Sequence, residues 1–277
     1  MKLLVQPDDG VEPLLEAIHN ARHTIDMYIF RLTYPAVEEA LTDAIARGVV
    51  VRTLIAHLNT SGEEALRKLE LRLLGIGATV SRTDEELLRY HGKMMVVDSS
   101  TLYVLGYNFN RKDIDRSRSL GIATRSPDLV GEAMRLFQAD FDRKVYTPGL
   151  DTFVVSPLNS RASLLRLIEG AREQLLIYDS RLTDNSMQRV LERQAMAGVE
   201  VRVIGKVEKD LREVQVRKYP AERLHCRAIV ADTRLAFVGS QSLRRAELER
   251  RREIGVIVED ENIARQIATI FDEDWAG

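Results

Sequence analysis

The sequence predicts an α/β fold made of two duplicated, layered halves. Three observations carry this: helix-like and strand-like segments alternate, blocks of residues recur at fixed offsets, and a histidine-centred pattern occurs twice. Within the first half, residues 11–22 place Val11, Leu14, Leu15, Ile18 and Ala21 at helical spacing. Residues 24–30 alternate like a strand. Residues 35–47 read as a helix stopped by Gly48, the residue type that tolerates the left-handed turn at a helix end. The apolar run 49–55 suits a buried strand of a parallel sheet, and 62–75 reads as a further helix. Residues 94–97 and 102–105 form strand-like stretches about a turn at Ser99 and Ser100. The second half repeats this order, which argues for helices covering a mixed sheet.

The repeat can be checked by subtraction. An offset of 150 carries Leu14, Leu15, Ile18, Ala21 and Arg22 onto Leu164, Leu165, Ile168, Ala171 and Arg172. The same offset carries Tyr28, Arg31, Leu32 and Thr33 onto Tyr178, Arg181, Leu182 and Thr183. An offset of 134 relates His91 to His225, Asp98 to Asp232, Gly121 to Gly255, Phe137 to Phe271 and Asp140 to Asp274. The first copy therefore holds 16 extra residues between the two blocks. So long a period indicates fused domains rather than a solenoid. We place the halves at 1–142 and 152–277, joined by a turn-rich linker at 143–151.

Composition narrows the function classes. With 277 residues, 45% hydrophobic and 30% charged, the chain suits two soluble domains. A net charge of −2 gives no global attraction to nucleic acid or anionic membrane, so any such attraction must be local. The longest apolar runs are strand-sized, so no membrane-spanning segment is expected, and the opening residues are too short in apolar content for a secretion signal. The single cysteine, Cys226, excludes an internal disulfide framework and is compatible with a cytoplasmic location.

The chemistry concentrates in the repeated pattern. The first copy has His91, Lys93 and Asp98, then Asn108; the second has His225, Arg227 and Asp232, then Ser242. Each spans 17 positions from the histidine to the last residue named. His91 and Lys93 are two apart, which on a strand puts both on one face. A phosphodiester presents two anionic oxygens that Lys93 can neutralise and to which Asn108 can donate. An imidazole titrates near neutrality and can attack phosphorus or protonate a leaving oxygen. Two copies supply both a nucleophile and an acid, as covalent catalysis requires. Arg227 can grip two phosphate oxygens, and Ser242 donates from a shorter reach. Glu253 follows His225 by 28 residues where the first copy has Ser119, and we expect it to bond the His225 imidazole and fix its tautomer.

Other polar residues have plainer expectations. Asp98 and Asp232 read as structural turn residues, with a further part in holding the halves together. His19 and His23 fall on the polar face of their helix, opposite Glu169 and Glu173 in the other copy, which argues for solvent rather than metal. Cys226 matches Gly92 and reads as filler. Arg244, Arg245 and Arg250 to Arg252, with Arg111, Lys112, Arg116 and Arg118 in the first copy, divide between a solvated face and the approach of an anionic substrate.

These motifs resemble the signature of the phospholipase D superfamily, H-x-K-x4-D-x6-G-S-x-N. The first copy departs at Leu105-Gly106 in place of Gly-Ser, the second at Arg227 and Ser242. The resemblance implies a phospholipase D-like molecule with pseudo-twofold symmetry and one active site shared between the halves. It implies catalysis without metal or cofactor, through a phosphohistidine. One chain then suffices to form the site. Phospholipid hydrolysis or phosphatidyl transfer is the first expectation, compatible with peripheral contact at a membrane. A metal-independent nuclease is the alternative, and a degenerate phosphate-binding protein is a third, raised by Arg227 and Ser242. In the expected mechanism His91 is the nucleophile and His225 the acid, with Lys93, Asn108, Arg227 and Ser242 holding phosphoryl oxygens.

Overall fold

The computed structural model describes residues 1–58 and 61–277. The first half runs β1 (Lys2–Gln6), α1 (Glu12–Asn20), β2 (Thr24–Ile29), α2 (Pro35–Ala46), β3 (Val50–Ile55), α3 (Glu63–Gly75) and β4 (Thr79–Arg82). It continues with β5 (Arg89–Tyr90), β6 (Met94–Val97), β7 (Thr101–Leu105), α4 (Arg111–Asp115), β8 (Ser119–Thr124) and α5 (Pro127–Phe141). The second half has β9 (Phe153–Val155), α6 (Ser160–Gly170), β10 (Gln174–Leu182), α7 (Asn185–Met196), β11 (Glu200–Val207) and β12 (Gln215–Arg217). Then come β13 (Arg227–Ala231), β14 (Leu235–Gly239), α8 (Arg245–Glu249), β15 (Arg251–Arg252), β16 (Ile254–Val258) and α9 (Glu261–Ala276).

Duplication is plain in the strand order. One sheet reads β1-β8-β7-β6-β2-β3-β4, the other β9-β16-β14-β13-β10-β11-β12. Each position in one has its repeat mate in the other. In both sheets the last three strands are parallel and the remainder antiparallel, the mixed sheet expected. The extra residues of the first copy are mostly the 13-residue helix α3. Residues 208–214 join β11 to β12 without one.

Strand alternation divides the apolar side chains between an outer and an inner face. Ile25, Met27 and Ile29 of β2 meet α1 and α2 on the outer face, while Tyr28 points into a core shared by both halves. In the second half Leu175 and Ile177 meet α6 and α7, and Leu176 and Tyr178 face inward. Helices α5 and α9 contribute Leu136, Phe137, Ile267 and Phe271 to the shared core. Sheets buried on both faces explain why their strands are nearly continuous apolar runs. Cys226 lies in this core, where burial pushes its thiol up, so it is a packing residue. Among the described residues no helix is long and apolar enough to cross a membrane.

Asp98 accepts backbone N–H bonds from Arg22, His23 and Thr24 at 3.0, 2.7 and 2.9 Å. Asp232 repeats this with Arg172, Glu173 and Gln174 at 2.9, 2.8 and 2.9 Å. Each aspartate ties a hairpin to the start of a central strand inside its own half, so these contacts do not join the halves. Two arginine–aspartate pairs do. Arg252 grips Asp140 with two 3.0 Å bonds, and Tyr28 donates to the same carboxylate at 3.1 Å. Arg118 grips Asp274 at 2.9 and 3.2 Å, with Tyr178 at 2.5 Å. Both latches cross between the halves. Arg118 and Arg252, expected either on a solvated face or at the substrate's approach, are instead structural.

Candidate active site

Each latch arginine also holds a histidine. The Arg252 carbonyl accepts from the backbone N–H groups of His91 and Gly92 at 2.7 and 2.9 Å, extending the parallel pair of β5 with β15. The Arg118 carbonyl accepts from His225 N at 3.0 Å. Both histidines are thus carried on segments stitched to the opposite half. His91 and Lys93 lie between β5 and β6 rather than on a strand, so strand alternation is not what unites them. They still converge, with Lys93 Nζ 3.0 Å from each ring nitrogen. An ammonium equidistant from both nitrogens lies off the line of either in-plane lone pair. It acts on the ring mainly as a charge.

Glu253 overturns the expected pairing. Its Oε2 is 2.8 Å from Nδ1 of His91, the histidine of the other half. With Glu253 ionised the carboxylate only accepts, which assigns the proton to Nδ1 and the lone pair to Nε2. At the mirror position opposite His225 stands Ser119, whose hydroxyl donates to the His225 carbonyl at 3.4 Å. The carboxylate nearest the His225 ring is Asp113, with Oδ2 3.7 Å from Nδ1. Asp113 was not among the residues singled out from sequence. The signal was present: Asp113 follows Asn108 by five residues, as Glu247 follows Ser242. Both acids accept from the backbone N–H of the residue they follow, at 3.0 and 2.8 Å.

The remaining motif residues surround these pairs. Asn108 Nδ2 donates to Asp113 at 2.6 Å, while Asn108 Oδ1 is buried without a partner. Arg227 Nη1 donates to the His225 carbonyl at 3.0 Å, and its Nε reaches Ser242 Oγ at 3.4 Å. A cavity of about 530 Å³ opens at the junction, lined by His91, Asn108 and His225 together with Arg31, Arg89 and Arg223. Arg111 and Lys112 also line it, whereas Arg245 points outward and pairs with Glu249 at 3.0 Å. The glycine at 106 has a packing cause. A Cβ on residue 106 would sit 2.8 Å from the Leu120 carbonyl and 3.1 Å from that of Gly239 in the other half. His19 and His23 are exposed.

Burial sets the electrostatics. It lowers His91 well below the usual histidine range, and the Lys93 and Arg227 charges add to the shift. His225 is lowered in the same way by burial and by Arg227, against a smaller pull from Asp113. Burial raises the Glu253 carboxyl. Burial also lowers Lys93 to about 7, whereas an unfolded lysine titrates near about 10.4. Between those values the unfolded chain binds more protons, so stability rises with pH. The cost of the buried ammonium is full below about pH 7 and is relieved above it. Relative to Lys93→Met, the wild type should gain about 2 kcal/mol between about pH 7 and pH 9. Urea unfolding at both values measures this, and a constant difference would refute it.

Comparison with known proteins gives a family, curated relatives and several solved structures of similar fold. The family model described as cardiolipin synthase, PLD-like domain, matches residues 14–143 and 164–275. The chain is 22% identical over 339 residues to cardiolipin synthase A of Serratia proteamaculans (strain 568), covering 99% of this chain and 68% of that one. Polyphosphate kinase from Porphyromonas gingivalis superposes with a TM-score of 0.80 at 20% identity. The match covers 98% of this chain and 49% of the kinase, so the chain spans about half that protein's length. Phosphatidylserine synthase of Haemophilus influenzae Rd KW20 gives 0.71 at 13% identity, covering 98% of this chain and 84% of the synthase. At such identities the structural likenesses speak for the fold.

Proposed function

From the premise that this chain belongs to the cardiolipin synthase, phospholipase D-like domain family, we propose a phosphodiesterase that works through a phosphohistidine on phospholipid, by hydrolysis or phosphatidyl transfer. The buried His91–Glu253 contact beside a cavity that His225 also lines carries this reading. His91 Nε2 attacks phosphorus in line, and the bond to the first alcohol breaks. The negative charge of the bound phosphodiester favours the His225 proton that burial and Arg227 disfavour; His225 gives that proton to the departing oxygen, then takes one from water or a second alcohol. That oxygen attacks phosphorus and releases His91. Lys93 and Arg227 offset charge as it builds on the phosphoryl oxygens, with Asn108 as a donor. Ser242 is fully buried beside Arg227, and its hydroxyl also bonds the buried Asp179, so its part is chiefly to orient Arg227.

The lipid substrate is supported by family membership and by the cardiolipin synthase relative. The test is incubation with phosphatidylglycerol vesicles and excess free alcohol, with products identified by mass spectrometry. Phosphatidic acid or a new phosphatidyl ester, absent in His225→Ala, would support the reading. Cleavage of single-stranded DNA that weakens steeply with salt, with vesicles untouched, would replace lipid by nucleic acid. Rapid quenching during turnover should recover phosphorus label on His91. Label on His225 would exchange the roles.

A further inference from the structure

The repeat equates Arg89 with Arg223 and Asp113 with Glu247, each at the offset of 134. On the His225 side Arg223 is neutralised, with Nη1 2.6 Å from Asp113 Oδ1 and 2.7 Å from Ser117 Oγ. The equivalent pair on the His91 side is not made. Glu247 Oε1 is taken by Arg244 and Arg251, each at 3.2 Å, and its Oε2 accepts from Ser242 N. Among the described residues no carboxylate bonds Arg89, and its Nε is buried without a hydrogen-bond partner. Arg89 also stands beside Arg251 across the β5–β15 pair. Adjacent like charges disfavour one another, and burial together with Arg251 lowers Arg89 from its ordinary value.

Arg89 faces the cavity with Arg31. Both guanidinium carbons lie 5.7 Å from the ring centre of Phe30, which packs edge-on against His91 at 4.5 Å. The Arg89 cation therefore sits one aromatic ring from His91, with no compensating carboxylate bonded to it. We propose that Arg89, with Arg31 beside it, forms a second phosphate subsite next to the one that holds the scissile group. This rests on the phosphodiesterase reading for the scissile group and extends it to the rest of the substrate. The second phosphate has two sources, a phosphorylated lipid headgroup or free inorganic phosphate.

Calorimetric titration of the full chain with inorganic orthophosphate and pyrophosphate tests the subsite without requiring turnover. In the wild type pyrophosphate should bind at least tenfold more tightly, and Arg89→Gln should cut that preference about tenfold. Arg89→Lys should retain part of it. A preference unchanged in Arg89→Gln, or none in the wild type, overturns the subsite. An inactive protein with an Arg89-dependent preference keeps the subsite and removes the phosphodiesterase reading. Displacement of pyrophosphate by vesicles whose headgroup adds a terminal phosphate, but not by phosphatidylglycerol vesicles, assigns the lipid source; displacement by neither assigns free phosphate.

Discussion

Alanine at His91 should leave no measurable hydrolysis of bis(4-nitrophenyl) phosphate, and glutamine at Glu253 should lower kcat by about 10³- to 10⁴-fold. The carboxylate holds Nδ1–H from 2.8 Å and so keeps the Nε2 lone pair available. A glutamine amide can donate to Nδ1 instead, which moves the proton to Nε2 and removes the nucleophile. The carboxylate also offsets positive charge on the imidazole as the bond to phosphorus forms. Asp113→Asn should cost less, because Asp113 stands 3.7 Å from the His225 ring and is already engaged by Asn108 and Arg223. Steady-state kinetics on the three variants decide the matter. A larger loss in Asp113→Asn than in Glu253→Gln would move the nucleophile to His225.

Arg252→Met should cost about 3–5 kcal/mol of stability, since it leaves the Asp140 carboxylate buried without its cation. The same substitution loosens the segment whose carbonyl receives the His91 and Gly92 amides, so activity should fall before the fold is lost. The double variant Arg252→Met with Asp140→Asn should recover part of the stability, because the stranded charge is gone. Arg118→Met should cost less, because its partner Asp274 is more exposed than Asp140 and Arg118 divides itself with the exposed Asp8. Urea unfolding of the four proteins gives the comparison. A loss under about 1 kcal/mol for Arg252→Met would mean that the apolar core alone holds the halves together.

Much of the fold was legible because core burial repeats. The offsets of 150 and 134 placed Tyr28 with Tyr178 and Asp140 with Asp274, residues that take equivalent places in the two latches. The change of offset marked the insertion that became α3. The partner of Glu253 was not legible, because spacing along a chain gives no information about which half a side chain crosses into. Counting from His225 assigned Glu253 to the nearer histidine in sequence, and the β5–β15 pairing brings it to the other. Arg118 and Arg252 were misread for a related reason. A run of arginines resembles a solvated face until a buried aspartate arrives from a distant helix. Asp113 was overlooked because its repeat mate is a glutamate, so residue identity concealed a matched function.

The exchange of segments between halves has an evolutionary consequence. In a dimer of identical subunits every inherited change appears on both sides of the axis at once. Fusion into one polypeptide removes that constraint, and the residues facing the two histidines record the freedom. Glu253 serves one imidazole while its counterpart is Ser119, and among the described residues no carboxylate bonds Arg89 as Asp113 bonds Arg223. Two descendants of one ancestral module have thus become unequal, each still dependent on the other for the residues beside its own histidine.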